Sequence, residues 1–381
     1  MKKFVKKYCE IICEVLSNKI ALMLIITMYG AFITACNMCP TSPENSGGDT
    51  KNYIYSTIIP INSQIPIITK FSLFDFSFEQ LENNGSIFSA PAKNGNYAFI
   101  RNDSDGGGKL LVMGNTNNNS SITIDKENKE FTFYSPIISS TGEEIVFLGG
   151  SNQLYLWVNN TEDNSSYIDK ISNKVFDNCI PTFSKDGSKL AFLEKIDESQ
   201  NELKIIDAKN PENVFFSMIL KDMKFQDLQD VYLTFSSNAN KLLFVNETDS
   251  TDLLTIVNII TLDVKNITIS KEELGVKIAQ ISPDGKYAAF TANDGNIWIV
   301  SLDTSQPLFS KLTTVNSCNY FLYLEWNSEG NKILAQSYNC TDEVKDGSTL
   351  FVLDLDVKND LFSLNSINLY CNNIQRAFWS N

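Results

Sequence analysis

Histidine is absent from all 381 residues. That absence removes Ser-His-Asp and Cys-His nucleophilic machinery, imidazole general bases and imidazole metal ligands together. No G-x-S-x-G elbow, G-x-x-x-x-G-K-[ST] loop or G-x-G-x-x-G fingerprint occurs either, so the familiar hydrolase and nucleotide-binding signatures are missing. Basic residues are scarce: 31 Lys and Arg stand against 45 Asp and Glu, a net charge of −14. Lys2, Lys3, Lys6, Lys7 and Lys19 lie in the first 35 residues with Glu10 and Glu14, which leaves 26 basic and 43 acidic residues beyond them, a net of −17. A body this acidic has no positive field to gather phosphate backbones, so no nucleic-acid partner is expected. Carboxylate and tyrosine chemistry survive these exclusions. No cofactor, metal site or catalytic residue is expected.

What is present begins with an address. Residues 1–19 are net basic, and Ile20 to Ala35, "IALMLIITMYGAFITA", is a mostly apolar run. It is short for a membrane span and long enough for the core of a signal peptide. The run stops at "ITAC", Ile33 to Cys36. These four residues resemble the bacterial lipobox, with Ile33 where Leu is usual. The resemblance implies that Ile33, Thr34 and Ala35 are read by the signal peptidase and that Cys36 is acylated and becomes the new N-terminus. An uncleaved signal anchor is the competing reading. The next segment, "NMCPTSPENSGGDTKN", is too polar to bury a core and reads as a flexible tether. Residues 1–35 are therefore expected to be a lipoprotein signal peptide, 36–51 a tether and 52–381 the folded domain. Both readings place that domain outside the cytoplasm, anchored at the periplasmic face, the outer membrane or the cell surface.

The body of the chain repeats itself. "ISPDGKYAAF" (Ile281 to Phe290) recurs as "ISSTGEEIVF" from Ile138, "FSKDGSKLAF" from Phe183, "FSSNANKLLF" from Phe235 and "WNSEGNKILA" from Trp326. A weaker copy starts at Pro91, and "WSN" at Trp379 begins another; successive copies start 47, 45, 52, 46, 45 and 53 residues apart. Each copy is an apolar strand, a Ser, a tight turn built on Asn or Asp with Gly, and a second apolar strand. An alternating strand follows, as in "LYLWV" at Leu154 and "IWIVS" at Ile297, and then a polar turn and one more short strand. Four antiparallel strands every 45 to 50 residues predict an all-β fold, a β-propeller whose blades bury their faces against one another.

The repeats resemble the TolB-type propeller repeat, an aromatic residue followed by Ser-Pro-Asp-Gly and an apolar strand. Ile281 to Phe290 matches it best, and the resemblance covers roughly residues 85 to 381. It implies a fold and leaves function open, because such repeats serve as scaffolds, peptidase appendages and lyases. TolB also carries an α/β domain for which too few residues lie between Cys36 and the first repeat. In TolB-type rings the last strand closes on the N-terminal end of the propeller. If "NYIYSTIIP" (Asn52 to Pro60), "IPIITK" (Ile65 to Lys70) and "LFDFSF" (Leu73 to Phe78) are strands, the ring has seven blades. If they are an extension it has six, and the near-repeat length of the segment favours seven.

Several features have plain structural readings. Asn102 to Gly108 and Asn293 to Gly295 look like calcium-loop fragments but sit where second and third strands must turn. Trp326 and Trp379 occupy the aromatic slot of the repeat, and Trp157 and Trp298 lie in third strands, so packing is expected for all four. Cys318 and Cys340 flank one hairpin symmetrically about residue 329, which suggests a disulfide in an exported protein. Cys371 is the rival partner, since it stands eight residues before Trp379 as Cys318 does before Trp326. Free thiols at Cys179 and these three are the remaining alternative.

The functional expectation is a lipid-anchored, monomeric, non-catalytic module that binds an envelope protein or glycan. The alternatives are a glycan-active enzyme using paired carboxylates in the axial funnel, and a small-ligand sensor using the central channel.

Overall fold

The computed structural model describes residues 53–379, apart from 59–64, 74–76, 88, 104–107, 127–133, 161–164, 177–178, 222–230, 315–318, 340–347, 359–360 and 373. The repeat becomes a blade. Blade 1 consists of Gly85–Ile87, Asn96–Asn102, Lys109–Asn115 and Ser120–Lys126, and blade 2 of Tyr134–Ile138, Glu144–Leu148, Leu154–Asn160 and Ser165–Ser172. Blade 3 is Thr182–Phe183, Lys189–Lys195, Gln200–Asp207 and Val214–Lys221; blade 4 is Thr234–Phe235, Lys241–Glu247, Thr251–Asn258 and Val264–Ser270. Blade 5 is Ile278–Ile281, Tyr287–Thr291, Ile297–Ser301 and Phe309–Lys311; blade 6 is Asn319–Trp326, Lys332–Asn339, Ser348–Lys358 and Leu361–Asn372.

The seventh blade joins the two ends of the domain. Ile374–Trp379 is its innermost strand and pairs antiparallel with Tyr53–Ile58, in the register Ile54↔Trp379, Tyr55↔Phe378 and Ser56↔Ala377. Ile67–Ser72 and Phe78–Asn83 complete it. The ring therefore has seven blades, and two of the three predicted N-terminal strands lie where the sequence places them. The third does not. Ser72 N–H donates to Ser77 O at 2.9 Å and the strand runs from Phe78, so it shares only Phe78 with the predicted Leu73 to Phe78 segment, of which 74–76 lie outside the described residues. The edge strand of a blade needs no apolar alternation, so Phe78–Asn83, "FEQLEN", is mostly exposed and gives no hydrophobic pattern to find.

The turn that carries the repeat has a specific hydrogen-bond logic. In blade 5 Ser282 Oγ donates to Asp284 Oδ1 at 2.6 Å and accepts the Tyr287 N–H at 3.0 Å, while Lys286 N–H donates to the same Asp284 oxygen at 3.0 Å. Gly285 then takes φ 73°, which only glycine adopts without strain. Blade 4 keeps the frame with Ser236 and Asn238 but has Ala239 at φ 55°. The Ser and the Asx residue are thus one hydrogen-bonded device, which explains why they travel together through the repeats.

The apolar core lies between blades. Second strands contribute fully buried Phe99, Phe147, Phe192, Phe244 and Phe290 in blades 1 to 5. One cluster joins blades 7 and 1 through Tyr55, Ile68, Phe99 and Phe378, and another joins blades 6 and 7 through Ile54, Leu334, Val352 and Trp379. A short parallel ribbon, Cys179↔Val231 and Ile180↔Tyr232, ties the entries to blades 3 and 4, an element with no signal in the sequence.

Candidate functional site in the central channel

Innermost strands face the axis of the ring, and alternate residues on each point inward. One such position, the residue just before the aromatic slot, recurs around the channel as Ile137, Thr182, Thr234, Gln280, Glu325 and Phe378, with Ser89 and Ala90 in blade 1. Together with Ile180, Tyr232, Tyr323 and the turn residues Ser140, Lys185, Ser237 and Pro283, they line a cavity of about 400 Å³. Every blade contributes to its wall. Tyr323 meets Tyr232 edge-on, ring centroids 6.3 Å apart, and Phe378 at 5.9 Å, so aromatic rings from blades 4, 6 and 7 meet at the axis.

Glu325 is the one carboxylate among the described lining residues. Its Oε2 accepts the backbone N–H of Trp379 at 3.0 Å and the Tyr323 hydroxyl at 3.2 Å. Its backbone carbonyl accepts the Trp379 indole N–H, also at 3.0 Å. Glu325 thus pins the closing strand of blade 7 to blade 6. Thr234 performs the equivalent service with a hydroxyl, accepting the Ile281 N–H at 3.0 Å, and Ser89 accepts that of Ile138 at 3.1 Å. The residue keeps contact with the channel, yet protein surrounds it closely. Burial pushes its carboxyl up to about 7, opposed by the two hydrogen bonds and by the charge of Lys185.

Lys185 belongs to the blade 3 turn and is only partly exposed at the same cavity. Burial draws its ammonium below the usual lysine value; Glu325 works against that, and the neighbouring Lys93 adds to it. Glu325 and Lys185 influence each other without touching. Neither residue carries a signature in isolation. The signal was columnar: among the residues that occupy this inner position, Glu325 alone is charged.

The residues singled out from sequence fall elsewhere. Ile33, Thr34, Ala35 and Cys36 lie outside the described residues, as do Cys318 and Cys340. The strand pair that these two cysteines flank is in register Asn319↔Asn339. Cys371 opposes Leu350 in the outer strand of blade 6, so it sits at the far edge of the same blade and not at the head of the next. Cys179 is buried at 1% exposure. Trp326 and Trp379 are buried as slot residues, and Trp326 also donates its indole N–H to Gln280 O at 3.2 Å. Trp157 is buried, and Trp298 lies partly buried beneath the Lys311 ammonium, 5.5 Å from the ring centre. In the calcium-like stretch Asn293 to Gly295, Asp294 accepts from Asn296 N–H and Lys311 Nζ, each at 2.9 Å, as a turn residue does.

No protein-family model matches the sequence, and no curated protein does. Solved structures do. A protein from Lactobacillus plantarum aligns at TM-score 0.58 and 8% identity, over 87% of this chain and 99% of its own. The β-propeller domain of the Trilobed protease from Pyrococcus furiosus aligns at 0.56 and 12%, over 87% and 97%; that domain is described as having an open velcro topology. TolB from Acinetobacter baumannii aligns at 0.45 and 12%, over 86% and 82%. At such identities the likeness speaks to fold alone. Here the ring is sealed by the Tyr53–Ile58 and Ile374–Trp379 pair. The chain is a seven-bladed β-propeller.

Proposed function

We propose that this protein is a lipid-anchored, extracytoplasmic binding module that engages an envelope protein or glycan through its channel face without transforming it. The observation that carries the reading is the channel itself, a formed cavity of about 400 Å³ walled by all seven blades, within the range of ligand sites. Glycoside hydrolysis by a carboxylate pair needs two acids roughly 5 to 10 Å apart. Glu325 has no second acid beside it among the described lining residues. The "ITAC" stretch and the polar segment after it support delivery to a membrane and suspension of the domain above it.

The test is affinity isolation of the full-length protein from its own envelope, with parallel samples treated by protease or by glycan-cleaving enzymes. A stoichiometric companion lost in one of these treatments supports the proposal and sorts protein from glycan. Turnover of envelope glycan by the purified protein overturns the non-catalytic part.

A further inference from the structure

The inner position of the repeat needs, at ring closure, only a hydrogen-bond acceptor. Thr234 supplies one to Ile281 N–H with a neutral hydroxyl. At the equivalent place Glu325 uses Oε2 for Trp379 N–H, and its other oxygen, Oε1, has no hydrogen-bond partner among the described residues. That oxygen stays open to the channel, so a carboxylate at this place is more than closure requires. Lys185 poses the same question with the opposite sign. Lys93 fills the same turn position in blade 1, and Ser140, Ser237 and Pro283 fill it in blades 2, 4 and 5; of the two lysines Lys185 lines the cavity, where it makes no hydrogen bond or salt bridge with any described residue. Neither charge has a direct ionic contact, so the two face the cavity as separate places for groups of opposite charge.

We infer that the channel binds a small zwitterion, its ammonium held by Glu325 and its carboxylate by Lys185. The inference rests on the reading of the channel as the binding surface. Blades 3 and 6 stand nearly opposite in a ring of seven, so the two charges face one cavity from different walls. A simple cation at Glu325 meets the field of Lys185, and a simple anion at Lys185 meets that of Glu325. Only a molecule carrying both groups satisfies both walls. The rings of Tyr232, Tyr323 and Phe378 line the same space and favour an ammonium against their faces. A cavity of about 400 Å³ accommodates an amino acid or a short peptide. Free amino acids and short peptides present the same two groups, and the probes below separate them.

The experiment is titration calorimetry, with melting shifts in parallel, on the full-length protein in detergent. The probes are the individual α-amino acids, dipeptides such as alanyl-alanine, and methylamine and acetate as single-charge controls. At least one zwitterion should bind, and Glu325→Gln and Lys185→Met should each weaken it roughly tenfold or more, the loss of one charge-assisted hydrogen bond. Gln keeps an acceptor for Trp379 N–H, so an unchanged melting profile at low pH certifies the fold of that variant. Lys185→Met removes no hydrogen bond with a described residue. The inference is overturned if no amino acid or dipeptide binds, if both variants bind as the wild type does, or if methylamine or acetate alone binds as tightly. Recovery of an envelope partner without zwitterion binding sinks this inference and leaves the envelope-binding proposal standing.

Discussion

Replacing Glu325 by Gln should stabilise the protein, and by an amount that depends on pH. Burial raises the carboxyl from 4.5 to about 7 in the folded protein. In the unfolded chain it titrates near its ordinary value. Below pH about 4.5 both states hold the proton and Glu325 is neutral, so wild type and variant differ little. As pH rises from there the unfolded state ionises first and is favoured, and stability falls until the folded carboxyl also ionises near pH 7. Above that the loss is constant. The interval between 4.5 and about 7, at about 1.4 kcal/mol per pH unit, gives about 3 kcal/mol. At roughly 2 °C per kcal/mol for a large domain this is a melting difference of about 6 °C. Gln retains the acceptor for Trp379 N–H, so the closing contact survives. Differential scanning calorimetry of both proteins from pH 4 to pH 8.5 reads the effect. A constant offset across that range, or a wild type that gains on the variant as pH rises, refutes the burial argument.

Three further outcomes are expected. Cys36→Ser should shift the protein from membrane to soluble fraction or leave an uncleaved precursor; equal incorporation of labelled fatty acid into the mutant refutes the anchor. Deleting residues 374–381 should abolish or greatly weaken cooperative unfolding, since the buried Phe378 and Trp379 alone contribute about 1.5–3 kcal/mol each and the ring is left with an open edge; an unchanged transition in calorimetry counts against closure through this strand. Non-reducing peptide mapping should recover Cys318 joined to Cys340, one position outward in sequence from the Asn319↔Asn339 pair. The bridge closes a loop of about 22 residues and stabilises by about 3 kcal/mol. Cys371 is the weaker partner, because a whole strand separates its strand from Lys332–Asn339, about 10 Å against a limit of about 7 Å. Recovery of a Cys340–Cys371 peptide, or of free thiols at Cys318 and Cys340, refutes the pairing.

Much of the ring can be read along the chain because its determinants are local. The Ser-Pro-Asp-Gly turn at Ser282 to Gly285 is set by contacts within five residues, and the apolar runs "YAAFT" and "IWIVS" answer to burial on both faces of one sheet. The spacing of these units favours seven blades over six, and the pairing of Tyr53–Ile58 with Ile374–Trp379 decides it. The outer strand of blade 7 escaped because Phe78–Asn83 lies at an exposed edge and carries no apolar alternation. Cys371 was misplaced for a related reason: spacing from the next aromatic slot says nothing about which blade an outer strand joins. The channel depended on the tertiary structure throughout. Glu325 and Lys185 are some 140 residues apart in sequence, and each looks like an ordinary surface charge beside a turn. Only closure of Ile54 onto Trp379 brings blades 3 and 6 to face across one axis, where burial shifts both groups and leaves them short of contact. Turn chemistry and strand alternation act over a few residues, whereas desolvation and Coulomb interaction depend on every neighbour that the closed ring supplies.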